Sequence, residues 1–183
     1  MRSYKFNNLF KNLKSTFLNK EKQSPKIKVC WNFLAKILGF MLLLTDAEQQ
    51  ELGKLDSHDP KVLQEIIREF VVPHYQYFPP ENREKIRQSL TYYLATNSEK
   101  LDWIFPSRHI NLESSGKLFY TIVWQELYGT DGPEPINPDD YEEDCSSQFF
   151  NSLTYSGTLE KKYNPNGEKP SITNILSRLK KNP

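Results

Sequence analysis

The densest run of chemistry-bearing side chains is Asp139-Asp140-Tyr141-Glu142-Glu143-Asp144. On a helix, Asp139 with Glu143, and Asp140 with Asp144, would share faces one turn apart. Such oxygen clusters suit hard cations like calcium or magnesium. The spacing and central glycine of a calcium loop are missing, so the run is expected to be a solvated acidic loop that meets a basic partner. No metal site and no cofactor is expected from it.

Histidine and cysteine are the other candidates. His58, His74 and His109 form no His-x-x-x-His pair, and no Cys-x-x-Cys is present to hold zinc. Cys30 lies in an apolar stretch, where burial keeps a thiol neutral. Cys145 follows the acidic run, which disfavours the attacking thiolate. Neither is set up as a nucleophile. Their wide separation, outside any metal spacing, fits reduced thiols in a cytoplasmic protein, with a single disulfide as the open alternative. Phosphate-loop, dinucleotide-binding and Gly-x-Ser-x-Gly patterns are absent. An enzyme would need a site assembled from distant residues, with His74 or His109 as base and a carboxylate such as Glu113 beside it. No small-molecule substrate is indicated.

Aromatic residues supply a recognition candidate. His74-Tyr75-Gln76-Tyr77-Phe78 and the Trp103 to Phe105 stretch could meet a partner, since Tyr and Trp favour interfaces. The competing expectation is that they fill the core. His74, Tyr75 and Tyr77 stand beside Asp139, Asp140, Glu142, Glu143 and Asp144 as the candidate partner-binding residues.

Charge is unevenly distributed along the 183 residues. Residues 1–30 carry eight Lys/Arg against Glu21 alone, while residues 129–147 hold seven acids and no base. A basic head and an acidic belt point to partners or to self-contact. Lys5, Lys11 and Lys14, interleaved with Phe10 and Phe17, could hold the head against an anionic membrane surface. The net acidic remainder argues against nucleic acid.

These residues need elements to position them. Val29 to Thr45 is apolar except for Asn32, Lys36 and Gly39. It is short for a membrane span, and Lys36 interrupts it. A core or interfacial helix with Lys36 snorkelling outward is favoured over a signal peptide or an anchor. Thr45-x-x-Glu48 is a capping box. Asp59-Pro60 starts a helix with the stripe Val62, Leu63, Ile66, Ile67, Phe70 and Val71, which Pro73 should stop, and Lys61 and Glu65 mark its solvated face. Further helices are expected from Pro80 through Leu94, from Asn97 or Ser98 to Phe105, and over Lys117 to Tyr128 with Gly129 as cap. Asn137-Pro138 could open an acidic helix, and Phe149 to Tyr163 a hairpin around Ser156-Gly157. Ser171 should cap a final helix bearing Ile172, Ile175, Leu176 and Leu179.

The expected fold is all-α: an irregular bundle of five or six helices with a basic N-terminal arm and a loop-rich C-terminal third. The arm covers 1–28, the helical domain 29–128, an acidic irregular segment 129–170, and a helix 171–183. The expected function is a non-enzymatic adaptor, regulator or immunity-type protein, cytoplasmic or membrane-associated. Its partner would be another protein with a basic surface. The alternatives are a His/carboxylate hydrolase and an exported or anchored domain using residues 29–45 as its signal.

Overall fold

Thr45 accepts from the Glu48 amide while the Glu48 side chain accepts from the Thr45 amide, so the capping box forms and opens a helix at Asp46. Local signals of this kind place most of the helices in the computed structural model, which describes residues 24–39, 44–104, 115–129, 131–153 and 170–181. In chain order these hold β1 (Ile27–Val29), α1 (Trp31–Lys36), α2 (Asp46–Leu52) and α3 (Pro60–Ile66, continuing through Ile67–Val71 and Val72–Gln76). Then come α4 (Pro80–Ala95), α5 (Lys100–Ile104), α6 (Gly116–Tyr128), a 3-10 turn (Pro138–Asp140), β2 (Tyr141–Glu143), α7 (Ser147–Asn151) and α8 (Ile172–Lys181).

The domain is mostly helical, with eight helical segments among the described residues rather than five or six. Among them is α7, a five-residue helix in place of the start of the expected hairpin, too short to give a periodic signal. A second departure is the small parallel sheet, in which Ile27 sits opposite Tyr141 and Val29 opposite Glu143.

Pro73 does not stop α3. The helix passes through a π turn in which the Val72 amide reaches back to the Ile67 carbonyl. Proline has no amide and its ring crowds the preceding turn, so a locally widened turn lets the chain stay helical. His74 and Tyr75 consequently lie inside the helix and not in a connector.

The core gathers Phe33 and Leu34 of α1, Ile66, Phe70 and Val71 of α3, Ile86, Leu90 and Tyr93 of α4, and Phe119, Tyr120 and Val123 of α6. α6 packs on α3, α4 and α5, and α1 on α4 and α5. Gly116 lets α6 begin against α5: a Cβ there would lie 2.1 Å from the Leu101 carbonyl oxygen. Its amide donates to Asp102 at 2.7 Å. Gly129 ends α6 at φ 72°, a left-handed cap that glycine adopts without strain.

Val29, Cys30, Phe33, Leu34, Ile37 and Leu38 are all buried in this core. Residues 29–38 are thus packed into the helical domain. Among the described residues no helix is long and apolar enough to cross a membrane.

Candidate partner-binding surface

The acidic run is not a helix, and its six residues do not act alike. Asn137 caps the Pro138–Asp140 turn by accepting from the Asp139 amide at 3.3 Å. The chain then extends through β2 alongside β1, and the Asp144 amide donates to the Val29 carbonyl at 2.9 Å. Extension sends successive side chains to alternate sides, which dissolves the shared faces a helix would give.

Two acids turn to the body of the protein. Glu143 meets the Lys100 amine at 2.5 Å. Asp144 meets Lys28 at 2.8 Å. The Lys28 amine and the Ser146 amide and hydroxyl hold the Asp144 carboxyl at about 2. The other three, Asp139, Asp140 and Glu142, are exposed. Part of the charge segregation is therefore self-contact between a basic residue ahead of α1 and the acidic belt.

A disulfide joins Cys30 to Cys145 across 115 residues of sequence. This corrects the expectation of two reduced thiols. The parallel pairing of β1 and β2 puts the two cysteines one residue and two residues beyond paired strands, with Cα atoms 5.1 Å apart. Phe149 adds a ring contact to Phe33, centroids 5.0 Å apart. Leu153 is buried, and its carbonyl accepts from the Lys36 amine at 2.8 Å. Lys36 does carry its amine out of the core, but to a protein acceptor. Burial depresses its pKa.

His74 and Tyr75 do not lie on a recognition surface; both are buried. His74 Nε2 stands 3.0 Å from the Lys36 carbonyl. A carbonyl only accepts, so the ring is protonated at Nε2 and ties α3 to the end of α1. Desolvation lowers its pKa to about 4, the opposite of a base poised for neutral pH. The Tyr75 hydroxyl meets the Tyr128 hydroxyl at 3.0 Å. Tyr77 is half-buried. In α5, Leu101 and Ile104 face inward and Trp103 outward, 74% exposed.

Glu65, expected on a solvated face, is instead buried. It accepts from Arg68 at 3.3 Å and from Arg178 of α8. Glu69 accepts from Arg178 at 2.7 Å and from the Ser171 amide at 2.8 Å. The contacts with α8 escape a sequence reading because the partners are over a hundred residues apart. The sequence signal for them is the apolar edge Ile172, Ile175, Leu176 and Leu179 of the last helix, which needs a surface to dock on.

Lys5, Phe10, Lys11, Lys14, Phe17, His109 and Glu113 lie outside the described residues. So do residues 154–163 of the expected hairpin, whose first part is α7. Among the described residues no group of three or more His, Cys, Asp or Glu could hold a metal ion. Compared with protein families, curated proteins and solved structures, the chain matches none.

Proposed function

We propose that the protein is a non-enzymatic binding protein, an adaptor, regulator or immunity-type protein, that meets a basic surface of another protein. The observation that carries this is the division of the acidic run. Glu143 and Asp144 are taken up by Lys100 and Lys28, while Asp139, Asp140 and Glu142 face solvent. Glu142 sits on the paired strand, and Asp139 and Asp140 on the Asn137-capped turn that leads into it, so little ordering remains to be done on binding. Charges presented this way speed encounter and select partners more than they add affinity. The basic head, with Lys5, Lys11, Lys14, Phe10 and Phe17, would add reversible contact with an anionic membrane.

The test is quantitative affinity purification of the wild type against the triple variant Asp139→Asn, Asp140→Asn, Glu142→Gln. The expected result is loss of a partner that salt also releases from the wild type. An unchanged profile would retire the acidic face.

A second reading, a domain acting outside the cytoplasm, is favoured by the Cys30–Cys145 bond, because disulfides persist in oxidising compartments. Thiol trapping during cell fractionation decides between them: a bonded pair in an extracytoplasmic fraction supports the second reading, and a reduced pair in the cytoplasm the first.

A further inference from the structure

The Cys30–Cys145 bond fastens a segment that the helical body does not otherwise enclose. Residues 131–153 follow the glycine cap of α6 and, among the side chains described, bury the apolar Leu153. Their other attachments include a three-residue strand, the Lys28 and Lys100 ion pairs, the Phe149–Phe33 and Tyr141–Tyr92 ring contacts, Lys28 over the Phe149 ring, and hydrogen bonds from Lys36 and Lys85. α6 packs directly on α3 and on α4, and Leu153 is the residue of 131–153 that joins their core cluster, with Cys145 and Phe149 against its edge. Cys30 is fully buried and Cys145 only partly so, which makes Cys145 the more accessible end of the pair.

We infer that this disulfide is a reducible clasp. Its reduction unfastens residues 131–153 from α1 and α4 and leaves α3 and α6 assembled. The reductant is a dithiol. Its thiolate attacks Sγ of Cys145, the sulfur–sulfur bond breaks, and Cys30 leaves as a thiolate that takes up a proton. The second thiol of the reagent then displaces Cys145 from the mixed disulfide, and its sulfur is likewise protonated. The balance is one protein disulfide reduced to two thiols and one dithiol oxidised to its disulfide. Release uncovers Val29 and Phe33, both fully buried in the bonded form, and removes the fixed geometry of the acidic strand.

The test uses the full-length protein and hydrogen exchange read by mass spectrometry, with and without dithiothreitol. Alkylation should find no free thiol before reduction and two afterwards. Reduction should speed exchange in 131–153 and 27–36 by at least about tenfold and leave α3 and α6 unchanged. Cys145→Ser without reductant should reproduce the reduced pattern. Unchanged exchange in 131–153 would overturn the clasp, because the remaining contacts would then suffice. Equal acceleration in α3 and α6, or a Cys145→Ser chain that does not fold, would overturn it too, since the bond would then brace the whole domain. Free thiols in the untreated protein would end the proposal outright.

Discussion

Residues 131–153 and residues 170–181 both follow the last helix of the core, yet they are held to it by different physics. The first brings acids, a three-residue strand and the buried side chain of Leu153, and it is closed covalently. The second is an amphipathic helix that buries Ile172 and Ile175 and sets Arg178 between Glu65 and Glu69 of α3. Its start is satisfied twice over: Ser171 accepts from the Asn174 amide, and Glu69 accepts from the Ser171 amide. A ten-residue helix is marginal alone, so α8 owes its order to docking. The contrast teaches that a polar segment with no periodic stripe can be fixed only by specific long-range bonds, whereas a periodic one carries its own adhesive.

The largest effect should come from removing the covalent bond. A cross-link across 115 residues restricts the unfolded chain, worth up to about 5 kcal/mol in the chain-entropy picture. Urea unfolding of oxidised wild type against Cys30→Ser should show a lower midpoint for the variant. If the two midpoints coincide, the first attachment owes nothing to its bond and the contrast with α8 disappears.

Acid should then weaken the tie between α3 and the end of α1, whose Lys36 amine in turn holds the Leu153 carbonyl of the first segment. His74 anchors the end of α1 and has its pKa lowered to about 4 by burial. Between that value and about 6.5 the unfolded chain binds more protons than the folded one, so stability falls as pH drops through this window. The full loss is about 3 kcal/mol by the linkage relation. The Asp144 pKa is lowered from 3.8 to about 2, so its own linkage falls mainly below this window. α8 contains no histidine. Urea midpoints from pH 7 to pH 4 should slope for the wild type and be flatter for His74→Gln, whose amide can still donate to the Lys36 carbonyl. Parallel slopes would remove His74 from the account.

How much of this was legible depends on distance along the chain. The capping box at Thr45, the Asp59-Pro60 start, the Gly129 cap and the Ser171 cap are local, and each forms where the residues indicate. The passage of α3 through Pro73 was not legible, because a π turn is a response to packing on both sides of the proline. Nor was β2: consecutive acids repel and read as a solvated loop or helix, and the strand exists only through pairing with Ile27–Val29. The acids themselves were found, but not their division, since Lys28 and Lys100 lie 116 and 43 positions away. Glu65 was misplaced for the same reason, its partner being 113 residues on.

The second attachment can be broken at one side chain. Arg178→Ala leaves the carboxylates of Glu65 and Glu69, only 12% and 9% exposed, without their cation from α8. Breaking a fully buried pair costs more, but Arg178 is 36% exposed and water recovers part of the loss, so about 2 kcal/mol is expected. Hydrogen exchange should show α8 opening while 131–153 stays protected. Opening of both segments together would mean that they form one cooperative unit.

The smallest effect sharpens the comparison most, because the geometry is nearly the same. Lys28 meets Asp144 at 2.8 Å, and Arg178 meets Glu69 at 2.7 Å. Lys28 is half in water and reaches its partner on a flexible stem, so hydration replaces what the ion pair supplies and the ordered side chain regains its freedom when the pair is lost. Lys28→Ala should therefore leave the urea midpoint of the oxidised protein within error of wild type, at low salt and at high salt alike. Distance would then be shown to say little about worth, and burial a great deal. A midpoint shift as large as that of Arg178→Ala would reverse the assignment. The acidic segment would then be held by its charges, with the disulfide serving only to record that the two strands had already met.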